Sequence, residues 1–225
     1  MVRSGENNFS ALDMSADKKR ALELTPVSNE IAARLDCLVE LFLQWQAKMN
    51  LVARSTIPEV WSRHVADSLQ LIALAPSARV WVDLGSGGGF PGLVIACALV
   101  GQAGTRVHLV ESTKKKAAFL EEAVRELDLP AVVHPVRIEE FVTTLNERPD
   151  IVTARALAPL AELLDLAAPL LKTGAKGLFL KGQDVEAELT DAAKCWTIQS
   201  TLVPSKTSPL ARVVVIHSAA RRNKQ

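Results

Sequence analysis

The chain has 225 residues, of which 48% are hydrophobic, and a formal net charge of +1. A chain of this length and apolar content can bury one full core with an appended segment, and its near-neutral charge does not by itself indicate a nucleic-acid partner. The N-terminus has no apolar segment of the signal-peptide kind, and the longest uninterrupted apolar run is the eight residues after Gly92. The sequence therefore predicts neither a signal peptide nor a membrane span.

The three cysteines are far apart in the sequence and show no C-x-x-C spacing; they are Cys37, Cys97 and Cys195. This pattern is typical of reduced thiols in a cytoplasmic protein, and it offers no metal-ligand spacing. We therefore expect a cytoplasmic protein that binds no metal.

The first predicted elements are helical. Residues 1–27 are polar and poorly patterned, apart from a possible helical turn or two at residues 17–24, and they predict a flexible arm. Residues 28–78 predict a helical extension. Its first helix starts after Ser28 or Asn29 and carries apolar residues at three- and four-residue steps, and its second runs from about Pro58 to Leu74.

From residue 79 to residue 220, short apolar strands alternate with helical stretches such as Thr113–Leu127 and Leu160–Leu171. The candidate strands are Val80–Leu84, Val107–Val110, Ala131–Val136, Ile151–Ala154, Gly177–Leu180, Trp196–Leu202 and Arg212–His217. Alternation of this kind predicts an α/β fold, a doubly wound and mostly parallel sheet covered on both faces. The short connection between the last two candidate strands suits an antiparallel hairpin. This is the layout of Rossmann-like, class I methyltransferases, and residues 221–225 would follow it as a basic tail.

The most informative segment runs from Val80 to Gly92 and reads VWVDLGSGGGFPG. A short apolar strand ends in an acid, Asp83, turns through five glycines and enters an apolar helix. Such a loop lets the backbone approach a nucleotide-like ligand closely. An acid at the strand tip opposes the pyrophosphate of a dinucleotide, which favours positive potential, but it suits the cationic and phosphate-free S-adenosylmethionine. The segment therefore favours a methyltransferase.

Two alternatives stay open on the glycine loop alone. Residues 87–92 formally match the G-x-G-x-x-G pattern of an NAD(P)-binding oxidoreductase. Against that, Pro91 removes a backbone N–H where a pyrophosphate would bind, and the chain has no tyrosine for short-chain dehydrogenase chemistry. The other alternative is a turn that binds no ligand, although its five glycines cost chain entropy.

Acidic and apolar residues follow the next two strands. Glu111 ends the second strand, where an acid can accept both ribose hydroxyls of a nucleoside or can lie beside the cap of the next helix. Past the third strand, Ile138 offers an apolar face to an adenine ring. Its neighbour Glu139 either lies at the same place or is a first-turn acid favoured by the helix dipole.

A run of three lysines, residues 114–116, opens the helix after Glu111. Like charges in a first helical turn are locally unfavourable. The run is therefore either a solvated helix face or a set of phosphate contacts, and we assign Lys115 and Lys116 to the second role because ligands bind at this edge of such a sheet.

The kind of methyl acceptor is narrowed by what the sequence lacks. Methylation of a pyrimidine carbon needs a cysteine nucleophile beside the loops, and none of the three cysteines has that placement. Adenine amines are usually methylated beside an Asn- or Asp-Pro-Pro-aromatic turn, but the turn from Ala154 to Pro159 reads ARALAP. Guanine N7 needs no proton removal before attack, so positioning would suffice, and the sequence is compatible with that acceptor.

Several segments, taken in order, resemble one family. They are FLQWQAKMNL from Phe42, RHVADSL from Arg63, DLGSGGGFPG from Asp83, Glu111 with Lys115 and Lys116, Arg137 with Glu139, Arg155–Ala156, and Lys181–Gly182. The combination covers about residues 41–182 and resembles the glucose-inhibited division protein B family, the guanine-N7 methyltransferases of bacterial 16S ribosomal RNA. The match is far more specific than the glycine loop alone.

The resemblance implies a cofactor, S-adenosylmethionine, and the residues that would line its site: Gly85, Gly87, Phe90, Ile138 and Glu139. It also places Arg155 at the tip of the fourth strand, facing cofactor and target base, where we expect it to position the reactants without any general base. The partner would be 16S ribosomal RNA or a precursor of the small ribosomal subunit, and we expect a monomer. A small-molecule methyltransferase of the same fold is the alternative.

Two further residues of the resemblance have two interpretations. In the first interpretation, His64 and Asp67 form a simple side-chain pair, because they are spaced i, i+3 on a predicted helix. In the second interpretation they bind substrate, closing over the cofactor pocket beside the target guanine.

Overall fold

The computed structural model describes the backbone of residues 11–222 and the side chains of residues 14–222. Residues 1–10 of the predicted arm and residues 223–225 of the predicted tail lie outside this range. The strands are β1 Val80–Leu84, β2 Arg106–Val110, β3 Ala131–His134, β4 Ile151–Arg155, β5 Lys176–Lys181, β6 Trp196–Pro204 and β7 Arg212–Arg221. The helices are α1 Ala11–Leu24, α2 Asn29–Gln46, a 3₁₀ segment Arg54–Glu59, a π-helical segment Trp61–Ala66, α3 Asp67–Leu74, α4 Gly92–Ala98, α5 Lys114–Glu126, α6 Ile138–Thr144, α7 Leu160–Leu171 and α8 Val185–Cys195.

The strands form one sheet in the order β3-β2-β1-β4-β5-β7-β6, and this confirms the predicted fold class. The pairs among β1 to β5 are parallel, whereas β7 is antiparallel to both β5 and β6. Because parallel strands end at the same edge, the glycine loop after β1 and the residues that follow β2, β4 and β5 come together there. The order reverses between β1 and β4, which is where doubly wound sheets bind their ligands.

The core lies on both faces of the sheet because successive strand residues point to opposite faces. In β1, Trp81 packs into one buried cluster, and Val82 and Leu84 pack into the other. The first cluster also contains side chains of the helical extension, among them Phe42 and Val60. Since the extension shares a core with the sheet, the division of the chain at residue 78 stays a prediction about domains.

The prediction of a flexible arm over residues 1–27 is wrong from residue 11 onward, because α1 is a docked helix. Its Asp17 is only 6% exposed and accepts hydrogen bonds from the backbone N–H groups of Trp61 and Ser62, at 2.9 and 3.2 Å. Ala21 is fully buried in the first core cluster. Met14 and Leu22 also pack against this cluster, but α1 is polar overall, so the sequence shows little sign of these contacts.

Two other boundaries differ from the predicted ones. The second extension helix is three consecutive segments, with a π-helical turn at its centre, a conformation that is rare and often found at functional sites. The predicted basic tail begins inside the fold, because Arg221 belongs to β7 and its guanidinium pairs with Asp165 of α7. Among residues 11–222, no helix has the length and apolar character needed to cross a membrane.

Candidate active site

The glycine loop after β1 has two residues on its open side, Gly85 and Gly87. Both have positive φ angles, +68° and +52°, and both are partly exposed. A Cβ on Gly87 would meet only the carbonyl oxygen of Gly85, at 3.6 Å, so the space beyond it is open. A Cβ on Gly85 would lie 2.6 Å from Leu157, in the turn after β4. The loop therefore presents bare backbone toward the crevice between β1 and β4.

The other three glycines of the loop are needed for packing within the protein. A Cβ on Gly89 or Gly92 would collide with Leu93 or Leu109, respectively. A Cβ on Gly88 would press against Leu51, which follows α2. The entropy cost of five glycines is thus explained in part by close packing, and of the five only Gly87 has open space where a Cβ would lie.

The side chain of Asp83, at the tip of β1, is buried and is not exposed to the crevice. Its side chain is 1% exposed and accepts hydrogen bonds from the Gly92 N–H at 3.2 Å and the Thr153 hydroxyl at 2.8 Å. Burial raises the pKa of Asp83 to about 6, although these hydrogen bonds oppose the shift. The carboxylate therefore ties β1 to the start of α4 and to β4, and it supports the loop from behind.

Glu111 after β2 is bound directly to the glycine loop. Its two carboxylate oxygens accept hydrogen bonds from the backbone N–H groups of Gly87, at 3.0 Å, and Thr113, at 2.7 Å. The side chain lies at the crevice edge of the sheet and is 7% exposed. Both earlier interpretations of Glu111 are therefore compatible with its geometry, since one oxygen fixes the loop and the other fixes the residue before α5.

Ile138 and Glu139 open α6, after β3. Ile138 is half-buried against the second core cluster, whereas Glu139 is exposed in the first helical turn. Both residues lie beyond the ends of β2 and β3, at the same edge as Glu111. The structure thus places them beside the crevice but gives Glu139 no side-chain partner within the described residues.

Arg155 ends β4 and reaches across to the helical extension. Its guanidinium donates to the backbone carbonyl of Arg63 at 3.0 Å and to the Nδ1 atom of His64, and it lies 3.9 Å from the Asp67 carboxylate. The guanidinium carbon lies 5.9 Å from the centre of the Phe90 ring. Burial lowers the pKa of Arg155, and Asp67 opposes that shift. Arg155 thus connects the end of β4 with the helical extension.

His64 is buried in the π-helical segment and stacks on Phe90, with ring centres 4.9 Å apart. Because its Nδ1 accepts from Arg155, its Nε2 carries the proton and donates to the Thr56 hydroxyl at 2.9 Å. Burial, helped by the charges of Arg155 and Arg63, lowers the pKa of His64 to about 3. The imidazole is therefore neutral at physiological pH, and both of its nitrogens are engaged.

The simple pairing of His64 with Asp67 is not what the structure shows, because Arg155 lies between them. One oxygen of Asp67 instead accepts from the hydroxyls of Thr207 and Ser205, at 2.8 and 3.2 Å, in the loop between β6 and β7. The i, i+3 spacing gave no sign of this contact, since the partners are more than 130 positions away.

A cavity of about 860 Å³ opens beside Arg155. It lies between the extension, the turns after β4 and β5, and the loop between β6 and β7, and its wall includes Arg20, Arg63, His64, Asp67, Lys181 and Leu210. Cavities of about 300–1,000 Å³ accommodate small-molecule-sized ligands, so a nucleotide fits. Arg155 lines the cavity, whereas the glycine loop does not.

The wall of this cavity contains residues that the sequence analysis gave no role. The Lys181 ammonium group donates to the backbone carbonyl of Ala158 at 2.6 Å and pairs with Glu188 at 2.7 Å. These contacts hold the turn after β4, in which Ala156 has an unusual positive φ of +50°. Lys181 was visible as part of the family resemblance, but Arg20 in α1 carried no sequence signal.

Lys115 and Lys116 lie in the first turn of α5, at the crevice edge of the sheet. Lys115 is exposed and Lys116 is half-buried. In the part of the chain that the structure describes, neither forms an ion pair. Within residues 14–222, the repulsion between neighbouring ammonium groups in this turn is therefore not offset by an ion pair.

Solved structures with low sequence identity share the fold. An O-methyltransferase from Bacillus cereus in complex with S-adenosylhomocysteine superposes with a TM-score of 0.58, 14% identity and coverage of 90% of this chain and 97% of that chain. The O-methyltransferase TomG from Streptomyces achromogenes, in complex with S-adenosylmethionine, superposes with a TM-score of 0.59, 13% identity and coverage of 96% and 100%.

Sequence relatives are much closer. The ribosomal RNA small subunit methyltransferase G of Nitrobacter hamburgensis is 57% identical over 93% of this chain and 81% of its own length. The protein of the same name from Bradyrhizobium sp. strain BTAi1 is 56% identical over 93% of this chain and 95% of its own length. The family model described as rRNA small subunit methyltransferase G matches residues 31–213. The chain therefore belongs to the rRNA small subunit methyltransferase G family.

Proposed function

We propose that the chain transfers a methyl group from S-adenosylmethionine to N7 of a specific guanine in 16S ribosomal RNA. The observation that carries this proposal is the intact connection from Gly87 to Glu111, at the crevice of a class I methyltransferase sheet, in a member of this family. Neither the small-molecule alternative nor the NAD(P)-binding alternative has comparable support.

The residues at the crevice fit the proposed cofactor. Gly85 and Gly87 expose backbone without side chains, Glu111 supplies carboxylate oxygens for hydroxyl groups, and the half-buried Ile138 supplies an apolar surface. No phosphate site is needed, which agrees with an acidic residue, Asp83, behind the loop. When bound, S-adenosylmethionine supplies an electrophilic methyl group on a cationic sulfur.

The acceptor side fits an atom that loses no proton. Guanine N7 carries a lone pair that is unprotonated at neutral pH, so the protein needs to position it and exclude water. The His64 imidazole is neutral, with both nitrogens engaged, and Asp83 is buried behind the loop. Neither is available as a general base.

We assign Arg155 a positioning role. Its guanidinium already holds the backbone of the π-helical segment and the ring of His64, so it fixes the extension against the crevice. A cation beside a base that becomes positively charged would not stabilise the transition state directly. Its contribution is therefore to hold the acceptor pocket at the correct distance from the cofactor site.

The assignment of Lys115 and Lys116 to RNA contact rests on their unpaired charges at the ligand edge. The chain as a whole is near neutral, so binding of RNA requires that positive charge be concentrated where the phosphates lie. We propose 16S ribosomal RNA, naked or within a precursor of the small ribosomal subunit, as the substrate, and a monomeric enzyme in the cytoplasm.

Mass spectrometry of 16S ribosomal RNA from a strain that lacks the gene tests the proposal. We expect loss of one 7-methylguanosine, which returns with the wild-type gene and does not return with a gene encoding Gly87→Val. An unchanged set of methylated guanines in the deletion strain would overturn the proposal and leave the small-molecule alternative.

A further inference from the structure

The loop between β6 and β7, residues 205–211, forms one wall of the large cavity. Thr207, Ser208 and Leu210 of this loop line it, opposite the turn that follows Arg155. The loop is closed on itself, since the Ser205 N–H donates to the Ala211 carbonyl at 3.1 Å. Its conformation is thus fixed by its own backbone before any ligand binds.

Two side chains of α3 fasten this loop to the extension. Asp67 accepts hydrogen bonds from Ser205 and Thr207, as described above, and the Gln70 amide oxygen accepts from the backbone N–H of Lys206 at 2.9 Å. The Gln70 amide nitrogen in turn donates to Asp67 at 2.7 Å. Gln70 is 5% exposed, so these are interior contacts that hold the loop at one position.

The same carboxylate of Asp67 that holds the loop also faces Arg155. One of its oxygens accepts from the loop hydroxyls, and the other lies 3.9 Å from the Arg155 guanidinium. A single carboxylate therefore connects the tip of β4 with the loop between β6 and β7. This connection sets the width of the cavity between them.

Leu210 is the apolar residue of this wall. Among the residues that the structure describes, three large hydrophobic side chains are exposed, and Leu210 is the most exposed at 62%. A single exposed leucine is ordinary on a protein surface, so its exposure alone indicates nothing. Its position on a fastened loop at a cavity large enough for a nucleotide is what indicates a ligand contact.

We propose that residues 205–211 are an RNA-contacting wall of the acceptor pocket, in which Leu210 packs against a nucleobase and Asp67 positions the loop relative to Arg155. Single-stranded RNA is recognised through unstacked bases that pack on side chains, and an apolar side chain offers such a base a surface without regard to its hydrogen bonds. The proposal rests on the proposed function, because it requires an RNA substrate.

The first test replaces Leu210 by serine and measures methyl transfer to small ribosomal subunits from the deletion strain. Loss of one apolar contact is expected to raise KM for the subunits by about tenfold, with kcat and the Kd of S-adenosylmethionine unchanged. Leu74→Ser and Val132→Ser are matched controls, since both residues are exposed large hydrophobics outside the cavity. They are expected to leave KM unaltered. An unaltered KM in a folded Leu210→Ser variant would overturn the proposal.

The second test concerns Asp67 as a positioning residue. Asp67→Ala is expected to raise KM and to lower kcat, because it releases both the loop and Arg155. Asp67→Asn retains the acceptor for Ser205 and Thr207 but removes the charge that faces Arg155, so it is expected to restore KM while kcat stays reduced. Combining Asp67→Ala with Leu210→Ser should raise KM no further than Asp67→Ala alone. Additive effects on KM would contradict the connection.

Failure of this inference differs from failure of the proposed function. If the wild-type protein transfers no methyl group to small ribosomal subunits, the proposed function fails. If the wild-type protein is active and Leu210→Ser behaves like its two controls, only the role of the loop fails.

Discussion

The glycine loop and the cavity beside Arg155, which we propose to be the acceptor pocket, are built in different ways. Two of the bonds that shape the loop connect residues close in sequence: Asp83 and Gly92 are nine positions apart, and Gly87 and Glu111 are 24 apart. The longest span is the 70 positions from Asp83 to Thr153. The bonds that shape the pocket connect distant segments, with 92 positions between Arg63 and Arg155 and 140 between Asp67 and Thr207. A local site leaves a sequence motif, whereas a site assembled from separate elements leaves scattered residues.

The largest expected effect is on cofactor binding at the glycine loop. Gly87→Val places a β-branched side chain at a φ of +52° on the open side of the loop, and it should weaken S-adenosylmethionine binding by at least about 100-fold, measured by calorimetry. Gly101→Val is the matched control, because Gly101 also has a positive φ, +80°, with open space around it, far from the crevice. Both variants should lose roughly 1–2 kcal/mol of stability. Equal affinities in the two variants would contradict the assignment of the cofactor site.

Substitution of Arg155 tests whether its contacts with the π-helical segment are needed for activity. Arg155→Ala should lower kcat/KM by a factor of roughly 30 to 1,000, equivalent to about 2–4 kcal/mol, because the π-helical segment loses its contact with β4. Arg155→Lys should recover little, since an ammonium group cannot reproduce the paired contacts of a guanidinium. Arg125→Ala, at an exposed position near the end of α5, is the control. Steady-state kinetics with wild-type-like activity for Arg155→Ala would reject the positioning role.

Asp17 tests whether the acceptor pocket depends on α1. Asp17→Ala leaves the buried N–H groups of Trp61 and Ser62 without their acceptor, and it should reduce the free energy of unfolding by about 2–4 kcal/mol. Asp36→Ala removes a partly exposed ion pair with Lys18 and should cost at most about 1 kcal/mol. Urea unfolding of both variants measures the difference. Equal losses would mean that α1 is only superficially attached.

Substitution of two lysines of α5 tests whether the edge of the sheet that holds the glycine loop also contacts RNA. Lys115→Glu combined with Lys116→Glu should weaken RNA binding and reduce the log–log salt slope by roughly 0.7 to 0.9 for each lost phosphate contact. The affinity for S-adenosylmethionine should stay nearly unchanged. Lys172→Glu combined with Lys176→Glu makes the same charge change at exposed positions on the opposite edge of the sheet. If both pairs change the slope equally, the effect is one of net charge.

The smallest expected effect is that of pH on the rate. With no general base, kcat should be nearly flat from about pH 6.5 to 9. His64 contributes no titration in this range because its pKa is lowered to about 3. The unfolded chain binds a proton on this histidine below about pH 6.5, so stability should fall as pH drops from about 6.5 to about 3. A rate that follows a group near pH 6.5 and is lost in His64→Ala would indicate an acceptor that loses a proton.

The sequence by itself determined the sheet and the cofactor side. Alternation of strands and helices fixes a doubly wound sheet because each element must bury an apolar face. The short spacing before the last strand requires the antiparallel hairpin, which the structure contains as β6 and β7. The glycine loop and Glu111 were found in advance because one strand, one turn and one crossover place them together.

The contacts that form the proposed acceptor pocket were visible only in the tertiary structure. The sequence predicts a flexible arm where the structure has α1, because the helix is mostly polar and the partners of its buried Asp17 are 44 and 45 positions away. The role of Asp67 as a link between Arg155 and the loop at residues 205–211 had no local pattern, since hydroxyl and amide partners occur throughout the sequence. Hydrogen bonds between distant segments form when the strands align at one edge of the sheet, and no spacing along the chain records them.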